Sequence, residues 1–357
     1  MIVSTCSFGS SDSSAVADYL AECDDAFVFD RFEFNFLTEP DGIEDLEYHL
    51  MLRPSRTSSS IYAIQRFNKL VQKHTKGWAN LTKISEARIR ELTDEYIDGL
   101  TQVRYKSFSP KIDKKHSAFL EYYLGKAIIR QRLVYGLEKK GIIKENFDFY
   151  PLDYVNLSVK PAGFYDLTKK YLRTLLEEMG FDFSKKVVLL DQAFSGNDPA
   201  KSFRFFDDPR AVVVDRDPRD MYIFAKKVLL SKGRFMPTDT VENFIAYYRA
   251  LRDGQPYKEP NPQILRLQFE ELVYNYEESV GKIDSFLGIE NANRKKYFIP
   301  EMSAANTNLI RKYPEFAEDV EKIKAELSEY IFDFDQYDAI DSSNQSFFGR
   351  SLNRKKK

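Results

Sequence analysis

Ile2-Val-Ser-Thr-Cys6, Ser7-Phe-Gly-Ser-Ser-Asp-Ser-Ser14, Ala15-Val-Ala-Asp-Tyr-Leu-Ala-Glu22 and Ala26-Phe-Val-Phe-Asp30 follow one another almost without a gap. The first and last are short apolar runs, which read as strands. The second is a loop of small residues. In the third, Val16, Tyr19 and Leu20 share one face at helical spacing. Strand, small-residue loop, helix, strand is the opening of a nucleotide-type α/β fold.

The same grammar returns farther along. Lys186-Val-Val-Leu-Leu-Asp191 and Ala211-Val-Val-Val-Asp215 are unbroken apolar strands, suited to the middle of a parallel sheet covered on both faces. Tyr154-Val-Asn-Leu-Ser158 is expected to resume the α/β alternation, followed by a helix over 164–179 that stops at Gly180. Gln263-Ile-Leu-Arg-Leu267 reads as the last strand, and helices over 270–287 and 315–331 close the fold. Residues 42–141 read differently, as helices near 43–52, 58–75, 84–99 and 117–139 with no strand pattern. Ser58-Ser-Ser60 stands as an N-cap cluster for the second. This is taken as a helical insertion over the sheet and a platform for an acceptor. The fold class expected is α/β: a three-layer parallel sheet flanked by helices, one domain over 1–340. Residues 341–357, Ser/Asn-rich and then basic, are expected to be a disordered tail.

The 357 residues allow about two domains, or one large α/β domain with insertions. At 43% hydrophobic and 30% charged, the chain is not a disordered one. Its 53 basic and 55 acidic residues leave −2. Without the five basic residues of 350–357 the body stands at −7, which argues against nucleic-acid binding through bulk charge. Any anionic ligand therefore needs a concentrated local site. Cys6 and Cys23 build neither a disulfide framework nor a metal spacing, so a reduced, cytoplasmic chain is expected. No apolar run approaches the roughly 18 residues of a spanning helix, and the N-terminus lacks the pattern of a secretory signal.

Two loops carry the candidate chemistry. In the first, Gly9, Ser10, Ser11, Asp12, Ser13 and Ser14 offer backbone N–H groups and hydroxyls to an oxyanion, beside the start of a helix. It lacks the lysine and spacing of a Walker A loop. A serine-rich turn capping a helix is the plainer alternative. The second loop, Arg216-Asp-Pro-Arg-Asp220, follows an apolar strand directly, at the sheet edge where open α/β folds bind ligands. Arg216 and Arg219 present planar donor forks to a phosphate. Pro218 suits the first position of a helix. Ion pairs satisfied within the loop are the alternative here.

With these residues in view, the chain resembles the sulfotransferases that use 3′-phosphoadenosine-5′-phosphosulfate (PAPS), in particular a bacterial branch acting on surface polysaccharides. Gly9-Ser-Ser-Asp-Ser-Ser14 stands where that family has P-K-S-G-T-T, and Arg216-Asp-Pro-Arg-Asp220 where it has R-[ND]-P-[KR]-D. Ile264-Leu-Arg-Leu-Gln-Phe-Glu-Glu-Leu-Val273, with Phe286-Leu-Gly-Ile289 after it, is similar to the family's "LRYEDLV…FLG". Ser303-Ala-Ala-Asn-Thr-Asn-Leu-Ile-Arg-Lys-Tyr313 is similar to "S…NIGxWKxY". The chain departs from the pattern at four places: Ser10 for the loop lysine, Asp12 for the loop glycine, Phe224 for a serine, and Asn308 for the late glycine.

The resemblance implies a P-loop-like fold, PAPS as sulfuryl donor, no metal, and in-line transfer to a carbohydrate hydroxyl. It implies that the serine loop holds the phosphosulfate and that Arg216 and Arg219 hold the 3′-phosphate; Ser303, Arg311 and Lys312 sit in the late motif, where the basic pair is placed to close over the nucleotide, a solvated lead-in to the last helix being the alternative. Glu33, just after the second strand, is the favoured base, with Asp191 as rival. Arg31, Arg53 and Lys160 are candidates by position for the missing lysine. The acceptor is expected to meet Arg31 and the insertion through Arg56, Ser58 and Tyr62, with Trp78, Tyr105 and Tyr122 beyond. Aromatics beside polar groups suit a sugar, although core packing explains any one of them. His49, His74 and His116 read as ordinary helix residues. Two rivals remain: a metal-dependent glycosyltransferase holding its ion on Asp215 and Asp217, and a nucleotide- or glycan-binding module without catalysis.

Overall fold

The computed structural model describes residues 1–9, 11–54, 57–108, 127–142, 152–227 and 236–340. Five strands make the central sheet: β1 (Ile2–Cys6), β2 (Ala26–Glu33), β5 (Val187–Asp191), β6 (Pro209–Asp215) and β7 (Ile264–Gln268). They run in the order β2-β5-β1-β6-β7, and every neighbouring pair is parallel. The apolar runs of the sequence explain the arrangement. Successive side chains of a strand point to opposite faces, so a strand apolar at every position must be covered on both.

Helices supply the cover. Val3, Val187, Leu189, Val212 and Val214 face one cluster with Val16, Tyr19 and Leu20 of α1 (Ser14–Leu20). Residues 270–287, expected as one helix, break at Asn275 (φ −125°, ψ 52°) into two helices, Phe269–Tyr274 and Tyr276–Leu287. Val280 and Ile283 of the second complete that face. Ile2, Cys6, Val188, Leu190, Ala211 and Val213 face the other cluster. Its helices are α2 (Ile43–Glu47), α3 (Thr57–Leu81), α4 (Glu86–Leu100) and, after α5 (Ala127–Lys139), α6 (Phe164–Met179), through Leu46, Phe67, Tyr96 and Leu172 among others. Gly180, at φ 103°, ends α6 in the left-handed conformation that glycine adopts without a Cβ clash. A third cluster joins α7 (Pro218–Lys227) and α8 (Val241–Arg252) to the helix Ala317–Glu326.

Two expectations are corrected. Residues 154–158 do not extend the parallel sheet, and the 42–141 insertion is not purely helical. β4 (Leu152–Leu157) instead pairs antiparallel with β3 (Val103–Phe108) in a separate ribbon, with Tyr105 opposite Val155. In Tyr154-Val-Asn-Leu157 every second residue is apolar, and Val155 is buried while Tyr154 is exposed. That alternation belongs to a strand with one wet face, not to a doubly covered one. The first part of the helix expected at 117–139 and the tail at 341–357 lie outside the described residues. Among the described residues, no helix is long and apolar enough to cross a membrane.

The chain leaves β1 into α1 on one face of the sheet. It leaves β6 through α7 and α8, whose Leu251 packs on the cluster of the other face. Where neighbouring strands send their connections to opposite faces, a crevice opens at their carboxyl ends, and open α/β sheets bind ligands there. Both candidate loops start at that edge.

Candidate functional site

A cleft of about 400 Å³ lies at the carboxyl edge. The first loop forms one wall, from Ser7 and Gly9 to Ser11–Ser14. Glu33 and Asn35 at the end of β2, and Asp191 and Gln192 at the end of β5, form the other. Sequence reasoning named most of the loop and both carboxylates; the structure brings them to one place. Among the described residues that line the cleft there is no lysine or arginine.

The loop is held from several sides. Gly9 (φ 76°) and Asp12 (φ 55°) both take left-handed backbone, which glycine accepts freely and aspartate at a cost. Ser11 is buried and its hydroxyl donates to the Val214 carbonyl at 2.8 Å, so it ties the loop to β6. Gln192 bridges the two ends of the loop. Its Oε1 accepts from the Ser7 hydroxyl at 2.9 Å, and its Nε2 donates to the Ser13 hydroxyl at 2.6 Å. Sequence reasoning missed Gln192; its one signal was its place directly after an apolar strand. Glu33 is exposed and stands beside Asp191 in the β2–β5 register, while its neighbours Phe32 and Phe34 are buried. Asp191 accepts a hydrogen bond from the Thr5 hydroxyl.

Behind the first loop the arginine loop is buried in a network of charges. Arg216 is fully buried. Its Nη1 lies 3.2 Å from Asp12, its Nη2 donates to the Asn306 carbonyl, and the Phe224 ring centroid lies 4.8 Å from its guanidinium carbon. Asp215 accepts from Arg252 at 2.7 and 2.6 Å and from the Tyr257 hydroxyl at 3.0 Å. Asp217 accepts from the Arg219 side chain at 3.0 and 2.7 Å and from the Phe332 amide at 2.8 Å, and Arg219 donates back to the Phe332 carbonyl at 2.7 Å. Both arginines of the loop are thus engaged by their own chain.

Asp220 accepts from the Asn308 and Leu309 amides, each at 2.7 Å. Burial, with Asp217 nearby, pushes its carboxyl up to about 7 against the pull of Arg216 and those amides. Between its unfolded value of 3.8 and about 7 the folded chain keeps a proton that the unfolded chain releases. This group's contribution to stability is therefore fully present below about 3.8 and is lost as the pH rises through about 7. The stability margin of the wild type over Asp220→Asn, read from urea unfolding, is expected to shrink from about pH 5 to about pH 8. A margin independent of pH contradicts the assignment.

The remaining candidates scatter. Ser303 is buried, and its Oγ has no hydrogen-bond partner among the described residues. Arg311 and Lys312 are exposed, with the Lys312 ammonium 3.0 Å from the Ala305 carbonyl. Tyr62 is half-buried on α3 and is not among the residues lining the cleft. Arg53 is exposed beside Tyr48, and Lys160 has its backbone amide on the Leu50 carbonyl at 2.9 Å. Trp78 belongs to the core, stacked on His74, whose Nε2 meets Glu39 at 2.5 Å. Tyr105 is exposed on the ribbon. Ser10, Arg56, His116 and Tyr122 lie outside the described residues, as do the side chains of Arg31 and Ser58. No protein-family model and no curated protein matches the chain.

Proposed function

We propose that the protein has a P-loop-like fold and is a sulfotransferase that moves a sulfuryl group from PAPS to a carbohydrate hydroxyl, as its resemblance to the polysaccharide-modifying branch implies. The observation that carries the reading is the cleft at the carboxyl edge of β1, β2 and β5. It gathers the serine loop and two carboxylates, and Asp12 connects it to Arg216. The donors present fit a phosphosulfate held by Ser13, Ser14 and the Gln192 amide rather than by a loop lysine.

Glu33 takes the proton of the acceptor hydroxyl, whose oxygen bonds to sulfur as the bond from sulfur to the bridging phosphate oxygen breaks in line. The products are a sulfate ester and adenosine 3′,5′-bisphosphate (PAP). Positioning and hydrogen bonds to the departing oxygen supply the catalysis, as in phosphoryl transfer. Glu33 suits the base better than Asp191 because it is exposed to the cleft, whereas Asp191 is tied to Thr5. A reduced, cytoplasmic setting goes with the nucleotide donor and with two buried free thiols, Cys6 and Cys23.

Calorimetry with PAP tests the reading, followed by transfer of labelled sulfate to a panel of glycans. A folded chain that does not bind PAP overturns it. Arg216→Ala is expected to weaken PAP binding by about 2–4 kcal/mol; unchanged affinity removes Arg216 from the site. The engagement of Arg216 by Asp12 favours a second reading, a binding module without catalysis, and PAP binding with no transfer to any glycan selects it. Metal-dependent glycosyl transfer would ask Asp215 and Asp217 to hold an ion. Both carboxylates are already bonded to Arg252, Tyr257, Arg219 and the Phe332 amide.

A further inference from the structure

We infer that Asp12 is an internal competitor for the anion that Arg216 recognises, so that the site takes a phosphate by exchange for a carboxylate of its own chain rather than by filling an open guanidinium fork. The inference rests on the reading of Arg216 as a phosphate ligand and deepens it.

Asp12 stands between the cleft and the arginine. It lines the cleft on one side, and on the other its carboxylate lies 3.2 Å from Nη1 of Arg216. Other sides of the guanidinium are occupied too. Asn306 accepts from Nη2, and the rings of Phe224 and Phe269 have their centroids 4.8 and 5.5 Å from the guanidinium carbon. An anion arriving through the cleft therefore meets the Asp12 carboxylate first. Two further acids near Arg216, Asp220 and Glu270, are pushed toward their neutral forms by burial. The backbone agrees: Asp12 sits at φ 55°, a conformation that favours glycine.

Exchange has a chemical consequence. A phosphate and a carboxylate compete for one fork, so most of what the phosphate gains at the arginine is offset by the release of Asp12. A small oxyanion with nothing else to bind gains little. A ligand that carries a second anionic group, reaching the serine loop while the first displaces Asp12, gains from both ends. Asp12 would thus make the site selective for a doubly phosphorylated nucleotide over simple phosphates.

The test uses the full chain with Asp12→Gly and Asp12→Asn, and two probes, PAP and inorganic pyrophosphate, by calorimetry and thermal unfolding. Both variants are expected to bind PAP at least about tenfold more tightly than the wild type, and to bind pyrophosphate where the wild type does so weakly. Without added anion they should melt at a lower temperature, since Arg216 has lost its counter-charge, and pyrophosphate should restore the melting point. Equal or weaker binding of both probes by folded variants overturns the inference, as does a failure to fold that pyrophosphate does not rescue. Tighter pyrophosphate binding with no PAP binding in any form keeps the exchange and removes the PAPS reading. PAP binding that ignores the substitution does the reverse.

Discussion

Arg252→Ala is expected to destabilise the protein by about 3–5 kcal/mol, the range found when one partner of a buried ion pair is removed. Arg252 is fully buried at the end of α8 and bonds Asp215 through two nitrogens, at 2.7 and 2.6 Å. Its guanidinium carbon lies 3.9 Å from the ring centroid of Phe8 and 3.5 Å from that of Tyr248. Alanine would leave Asp215 with the Arg216 amide and the hydroxyls of Tyr257 and Tyr248 but without the cation bonded to it, and would strip the covering from both rings. The urea midpoint measures the loss. The charge contribution can be separated from the packing. Arg252→Leu combined with Asp215→Leu should recover most of it, because burying neither charge is often no worse than burying both. A double variant as unstable as Arg252→Ala would mean that shape, not charge, decides at this position. Phe8 belongs to the loop on the other side of Arg252, so the single variant should also speed amide exchange around Ser7.

Under the proposed sulfotransferase reading, Glu33→Gln is expected to lower sulfuryl transfer by about 10²–10⁴-fold, the contribution of a positioned general base, while PAP affinity stays as in the wild type. Glutamine keeps the size of the side chain and removes its capacity to take a proton. The Glu33 side chain is exposed to the cleft rather than packed in the core, so a loss of turnover would not reflect a loss of structure. Asp191→Asn is the informative partner. Its carboxylate accepts from Thr5 at the end of β1, so that substitution should cost some stability with a smaller effect on turnover. Turnover that survives in Glu33→Gln and vanishes in Asp191→Asn would move the base across the β2–β5 pair.

The central sheet was legible because a strand covered on both faces must be apolar throughout, and the runs ending at Asp191 and Asp215 are so up to those carboxylates. The ribbon was harder. Val103-Arg-Tyr-Lys-Ser-Phe108 alternates, but the alternation is short and its apolar members Val103 and Tyr105 are exposed, so burial leaves little trace in the residue types. The break at Asn275 carries no proline or glycine to announce it. At the site, Glu33, Asp191 and the serine loop were readable because the ends of adjacent parallel strands meet by topology. Gln192 was not, because its role depends on which two hydroxyls it reaches. The burial of Arg216 was also hidden. Its motif reads the same whether its fork is open or filled, and what fills it is a residue 204 positions earlier, Asp12, in a place the resemblance gives to glycine.

The clasp between the arginine loop and Phe332 bears on synthesis. Asp217 and Arg219 close on a backbone group 115 residues farther along from Asp217, and Arg216 on a carbonyl 90 residues away. A nascent chain that has just emitted β6 therefore carries its guanidinium groups without these partners. The arginine loop behind the cleft gains these partners only when the C-terminal third has emerged and folded back. Contacts of such long sequence separation form late. The buried charge network of the arginine loop is thus completed after the sheet that supports it, and a chain stalled before Phe332 would carry Asp217 and Arg219 without their backbone partners.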